Sequence, residues 1–237
     1  MGTVGIVLQA RLGSTRLPGK VLAPIGPWPL LEHCVRRLGV SGLPVVVATT
    51  DRPEDDPVER LATRLHVSVY RGAEHDVLAR YIGAARTFGF TEVVRATADN
   101  PFVDLGAATR TVTFRRRVGA DHVVECGLPL GAAVEAVSVE ALERAHALVT
   151  DPYDREHVTS FIRRDVRFQA LRAVAPGDVR RPGLRLTVDT PEDLDFVRQV
   201  HASLDDAQEL PTLVSIIRVA DALLVRHVAH KRVRQGA

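Results

Sequence analysis

Val4-Gly5-Ile6-Val7-Leu8-Gln9-Ala10-Arg11-Leu12-Gly13-Ser14-Thr15-Arg16-Leu17-Pro18-Gly19-Lys20 decides the architecture. The run from Val4 to Leu8 is short and apolar, bounded by polar residues, as a buried strand would be. The character then changes abruptly to Arg11, Arg16 and Lys20, with two glycines, a proline and two small hydroxyl residues among them. A loop with open backbone amides, glycines and cations can wrap a polyphosphate. Placed directly after a buried strand, it points to an α/β ligand site; a basic surface loop after an edge strand is the plainer alternative.

Two named phosphate loops fail here. The mononucleotide P-loop needs four residues between its first glycine and its Gly-Lys pair, then Ser or Thr. Five residues separate Gly13 from Gly19, and Val21 follows Lys20. No G-x-G-x-x-G triplet is present in the stretch either.

Outward from this loop the chain alternates. After the expected first turn at Pro29, helical spacing of Leu31, Cys34, Val35 and Leu38 predicts a helix over 30–38. A strand is expected over 43–50, a helix opened by Pro57, a strand over 67–70 and a helix over 76–88. A strand over 91–97, a helix over 105–117 and a short strand near 122–124 follow. This rhythm predicts a Rossmann-like α/β fold, a mostly parallel sheet with helices on both faces. Ligands of such sheets sit at the carboxyl ends of the strands. The polar segments 11–20, 49–51 and 99–104 follow the first, second and fourth expected strands, where that rule needs them.

One domain is expected over 1–237, with 128–174 as an extended excursion. Helices are expected over 140–148 and 154–164, and strands over 166–174 and 184–189. Thr190 and Pro191 suit the N-cap and first position of a helix over 191–202, and a last helix is expected over 211–228. The basic residues from Arg226 to Arg234 read as a solvated helix end. Leu128, Leu130, Val134 and Val137 lie in the excursion, which does not easily join the main core; a homodimer through 129–164 is therefore expected.

Bulk properties narrow the function classes. With 237 residues a sizeable core is available without staples. A formal net charge of +2 does not argue for nucleic-acid binding. Cys34 and Cys126 are too few for a disulfide framework or a zinc cluster. Neither a leader peptide nor a membrane span is legible, and the cytoplasm is the expected location.

Gln9-Ala10-Arg11 followed by Gly13-Ser14-Thr15-Arg16-Leu17-Pro18-Gly19-Lys20 resembles the signature of the sugar-activating cytidylyltransferases. That group includes CMP-Kdo synthetases, acylneuraminate cytidylyltransferases and spore-coat polysaccharide cytidylyltransferases. The resemblance implies transfer of CMP from CTP to a small-molecule acceptor, with release of pyrophosphate and magnesium as cofactor. By the same resemblance Gln9, Ala10, Arg11, Gly13, Ser14, Arg16, Lys20, Gly72, Asp76 and Asp99 bind nucleotide, and Arg11, Lys20 and Asp99 are catalytic. Ala98-Asp99-Asn100-Pro101 and Val188-Asp189-Thr190-Pro191 look like the two metal-binding segments. Glu135, Arg155 and His157 fall in the portion that implies acceptor binding and dimer formation.

The chemistry agrees with this reading. Nucleotidyl transfer needs the triphosphate charge held and the transition state stabilised. Magnesium takes one or two carboxylates plus phosphate oxygens and water. Asp99 and Asp189 each end an expected strand at one sheet edge; without a cation between them, one would be held above its usual pKa. An Asx-turn for Asp99 and a helix cap for Asp189 are the structural alternatives. Two other functions remain open: a nucleotide-sugar-dependent glycosyltransferase, and a non-catalytic nucleotide-binding interaction module.

Overall fold

Strand β1 (Val4–Gln9) sits at the centre of the sheet, where an apolar run must be covered on both faces. Ile6 and Leu8 enter one hydrophobic cluster and Val7 the other. A computed structural model describes residues 2–204 and 210–235, with 226–235 by backbone alone. The basic side chains expected to form a solvated end therefore lie outside the described residues.

A small hairpin, β2 (Pro24–Ile25) and β3 (Trp28–Pro29), leads into α1 (Leu30–Gly39). The first half continues with β4 (Val45–Thr50), α2 (Asp56–Arg64), β5 (Ser68–Gly72), α3 (Val77–Thr87) and β6 (Glu92–Thr97). The second half holds α4 (Ala107–Val118), β7 (His122–Cys126), β8 (Glu135–Ser138), α5 (Val139–Leu148), α6 (Pro152–His157), α7 (Ser160–Arg164) and β9 (Ala170–Val174). Helices α8 (Pro191–Ala202) and α9 (Leu213–Gln235) close the chain.

The seven main strands form one sheet in the order β5-β4-β1-β6-β8-β7-β9. Only β8 runs against both neighbours, β6 and β7; the other pairings are parallel. One face is covered by α1, α2, α4, α8 and α9, the other by α3, α5 and α7. The expected mostly parallel sheet with helices on both faces is present. Among the described residues no helix is long and apolar enough to cross a membrane.

Three expectations need correction. The segment at 128–139 does not stand away from the core: β8 is an inner strand, and Leu128, Val134 and Val137 are buried in the protomer's own clusters. Only Leu130, 54% exposed, stays outside, so these side chains supply no reason for a dimer. The helix expected over 154–164 is broken at Val158, whose backbone is left-handed (φ 60°). Residues 184–189 are extended but make a single bridge, Leu130 with Arg185, rather than a strand.

Candidate active site

The loop after β1 is held by backbone and by one buried carboxylate. Ala10 N–H donates to Ala48 O at 3.1 Å, and Gly19 N–H closes the neck on Leu12 O at 3.0 Å. Asp55, 3% exposed, accepts the Leu12 amide at 2.7 Å and the Thr50 hydroxyl on its other oxygen. Gly19 has φ 73°, which turns the chain into a single 3-10 turn that presents Lys20. Sequence reading missed Asp55, because its partners are 5 and 43 residues away. Asp55→Ala leaves the buried Thr50 hydroxyl and the part-buried Leu12 amide without this partner, at about 1–3 kcal/mol for the buried one and less for the other. The expected result is a lower melting temperature with a raised KM for CTP and a smaller change in kcat, read by thermal melts and steady-state kinetics.

Asp99 and Asp189 converge as expected, and for a visible reason. Val188 N–H donates to Asp99 O at 2.8 Å, which binds the two segments side by side. Leu186 N–H and Leu130 N–H pair with Leu130 O and Leu184 O at 2.8 and 2.9 Å. Gly131 (φ 95°) permits the approach, since a Cβ there would lie 2.7 Å from Thr187 N and 3.0 Å from Asn100 Oδ1. The Lys20 ammonium sits where the carboxylates meet: 3.0 Å from Asp189 Oδ1, 3.5 Å from Asp99 Oδ2 and 2.6 Å from Val188 O.

That ammonium is itself a cation between the two carboxylates, so the repulsion expected without one is offset. Burial pushes the Asp189 carboxyl up, but Lys20, Arg185 and Arg16 outweigh it and hold it below the usual carboxylate range. Arg16 reaches Asp189 Oδ1 at 3.1 Å and Arg185 reaches Oδ2 at 2.7 Å. On the other carboxylate, the Thr97 hydroxyl donates to Asp99 Oδ1 at 2.5 Å.

Arg185 also clamps Asp193, at 2.8 and 2.9 Å, inside the capping box that Thr190 forms with Asp193 at the start of α8. The Arg185 hydrogen bond, against a burial penalty and with help from the Asp189 and Thr190 amides, lowers the Asp193 carboxyl from 3.8 to about 2. A depressed carboxyl contributes stability that is present above its ordinary value and lost as pH falls through its folded one. Asp193→Asn is therefore expected to cost about 2 kcal/mol at neutral pH, at ~1.4 kcal/mol per pKa unit. Denaturant melts should show that difference vanishing as the pH falls from 3.8 to about 2.

Lys20, Asp99 and Asp189 face one cavity of about 740 Å³ at the carboxyl ends of β1 and β6. Gln9, Ala10, Arg11, Gly13, Ser14, Arg16, Lys20, Asp99, His157 and Asp189 all line it, as do Glu74, His75, Arg95 and Thr97, which sequence reading did not single out. Arg11 spans the mouth to Glu156 of α6 at 3.1 Å, and the His157 ring packs on Tyr153 at 4.1 Å. A second depression of about 730 Å³ lies along α2; Arg71 there is already paired with Asp56 and Glu59.

Four expected site residues do not line the cavity. Gly72 ends β5, where its carbonyl takes the Asp51 amide at 3.0 Å. Asp76 caps α3 through the Ala79 amide at 2.9 Å and takes Arg155 at 2.5 Å. Arg155 spends its other end on Val149 O at 2.9 Å, so the pair ties α3 to α6. Glu135 stands one layer behind, bonded to Arg95 at 3.1 Å, His122 at 2.9 Å and Thr159 at 2.5 Å. Burial pushes its carboxyl up, but Arg95, His122 and Thr159 hold it well below the usual range.

The family described as "Cytidylyltransferase" matches residues 5–216. The chain is 34% identical over 230 residues to the spore coat polysaccharide biosynthesis protein SpsF of Bacillus subtilis, covering 91% of this chain and 95% of that one. It is 34% identical over 208 residues to an uncharacterised protein of Methanocaldococcus jannaschii, covering 86% and 85%. Among solved structures, a cytidylyltransferase from Leptospira borgpetersenii superposes with a TM-score of 0.86 at 29% identity, over 95% of this chain and 96% of that one. A CMP:2-keto-3-deoxy-manno-octonic acid synthetase complexed with CTP shares the fold, with a TM-score of 0.66 at 19% identity over 84% and 98%. With the loop, the paired carboxylates and the sheet order in place, this chain belongs to the cytidylyltransferase family and is a nucleotidyltransferase.

Proposed function

We propose that this protein transfers CMP from CTP to an oxygen of a small anionic acceptor, a sugar acid or a chemically related compound. The observation that carries the reading is the meeting of Lys20, Asp99 and Asp189 in the cavity floored by the loop after β1. The acceptor oxygen forms a bond to the α-phosphorus as the bond to the bridging oxygen of pyrophosphate breaks. The acceptor hydroxyl gives up its proton to solvent water, and pyrophosphate departs with the electron pair.

Arg11, Arg16 and Lys20 supply positive charge along the triphosphate, and the open loop amides add donors. Magnesium fits Asp99 and Asp189, whose carboxylates already converge on a single cation, the Lys20 ammonium. Among the described residues no group of three or more His, Cys, Asp or Glu side chains converges. The phosphates would therefore complete the ligand set, as magnesium sites on nucleotides commonly do. When bound, the ion would offset charge on the phosphate oxygens.

The test is a pyrophosphate-release screen of the four ribonucleoside triphosphates against sugar acids, sugar phosphates and phosphonates. Release is expected with CTP, an anionic acceptor and magnesium together. Release with another triphosphate at equal efficiency would contradict the cytidine assignment; sugar transfer from a nucleotide sugar without pyrophosphate would indicate a glycosyltransferase.

A further inference from the structure

The cavity has a cation whose task the loop does not explain. Arg95 lies on β6, whose neighbour on one side is β8, whereas the loop after β1 is anchored to the β4 side through Asp55. Its register partner on β8 is Glu135. The two side chains are only 16% and 13% exposed, and Arg95 Nη1 donates to Glu135 Oε1 at 3.1 Å. Glu135 Oε2 in turn accepts from Thr159 at 2.5 Å and from His122 Nε2 at 2.9 Å. Arg95 Nε is buried without a partner.

Removing a guanidinium from water is costly, and an apolar pair in the same space commonly serves stability as well. The platform beneath Arg95 is nonetheless elaborate. Thr159 reaches Glu135 from a tight turn at Val158, fully buried with φ 60° and ψ −62°, closed by Thr159 N–H on His157 O at 2.6 Å. Such turns are rare and strained for a β-branched residue. The residues before the turn, Glu156 and His157, line the cavity. One continuous set of contacts thus joins the α6 wall, the turn, Glu135 and Arg95. Glu135 fixes one edge of the guanidinium, which carries five N–H donors, and leaves others to bind.

We propose that Arg95 reads the anionic group of the acceptor, and that Glu135, His122 and Thr159 are positioning residues that hold its guanidinium for the task. This rests on the cytidylyl-transfer reading and deepens it: the acceptor carries a carboxylate or phosphate close to its attacking oxygen. A planar guanidinium favours such groups because it can pair with two oxygens at once.

The test uses the full chain loaded with magnesium and the α,β-methylene analogue of CTP. Calorimetric titration with 3-deoxy-manno-octulosonate, N-acetylneuraminate and glucose 1-phosphate is compared with their methyl esters or, for the last, glucose. At least one anion is expected to bind wild type about 10–100-fold more tightly than its uncharged counterpart. Arg95→Gln should close that gap, Arg95→Lys should restore part of it, and Glu135→Gln should narrow it. All three variants should keep CTP-analogue affinity within about threefold, a change of under ~0.7 kcal/mol, which also shows that they fold. A purely structural Arg95 would lower the melting temperature and leave the gap intact, and that result overturns the proposal. So does wild type that binds the CTP analogue but no anion of the panel. Failure to bind the CTP analogue at all would instead strike the cytidylyl-transfer reading beneath it. The carboxylate and phosphate arms separate the two sources of the charge.

Discussion

Exchanging Asp99 or Asp189 for asparagine is expected to lower turnover by about 10³-fold, and exchanging both to cost little more. A loss of that size corresponds to ~4 kcal/mol of transition-state stabilisation, the several kcal/mol that a bound metal supplies. The two carboxylates act as one unit because they reach the same cation from segments bound together by the Val188–Asp99 hydrogen bond. Groups that serve one ligand are strongly non-additive when removed. Folding should survive: an asparagine at 99 can still accept from Thr97, and the Thr190 cap of α8 does not use Asp189. Steady-state rates of the two single variants and the double variant, with melting curves as control, decide the matter. A double variant whose loss equals the product of two modest single losses, or wild type that keeps full activity in chelator, would refute the shared site.

Lys20→Ala is the second large effect, and it has two parts. Loss of a charge-assisted contact to phosphate should cost about 1.5–3 kcal/mol, or roughly 10–100-fold in kcat/KM. Lys20 follows Gly19 in a loop, a place where the sequence by itself shows no packing role for the side chain. The structure adds a structural role: Lys20 is 11% exposed and bridges both carboxylates. Without it Asp99 and Asp189 face each other with no ammonium between them, and the strongest contact holding the Asp189 carboxyl down is lost. The variant is therefore expected to melt lower at neutral pH, and to gain more than wild type from added magnesium in a thermal melt. Equal melting temperatures with and without magnesium in both proteins would show that the three groups are not coupled.

Much of this was legible in the chain. The strand-then-cations signal at residues 4–20 gave both the central strand and the cavity, because a buried strand and its terminal loop are local in sequence. Thr190 and Pro191 announced α8 for the same reason. What failed was non-local. β8 joins the sheet between β6 and β7, and four residues of pairing cannot be told from an extended loop by pattern. Residues 184–189 alternate like a strand, yet their partners are the amide and carbonyl of Leu130 and the carbonyl of Asp99 rather than a neighbouring strand. Asp76 and Arg155 pair with each other, and Glu135 pairs with Arg95, His122 and Thr159, contacts that pattern in the chain does not reveal. Arg95 was invisible as a site residue, since its meaning comes from Glu135 on the adjacent strand.

The most direct test of cytidylyl transfer is phosphorus NMR of a reaction mixture containing enzyme, CTP, magnesium and the acceptor selected by the screen. The α-phosphorus of CTP should reappear as a phosphodiester joined to the acceptor oxygen, in a one-to-one ratio with pyrophosphate formed from the β- and γ-phosphorus. Recovery of the α-phosphorus as CDP with inorganic phosphate, or as free CMP with no acceptor adduct, would contradict it.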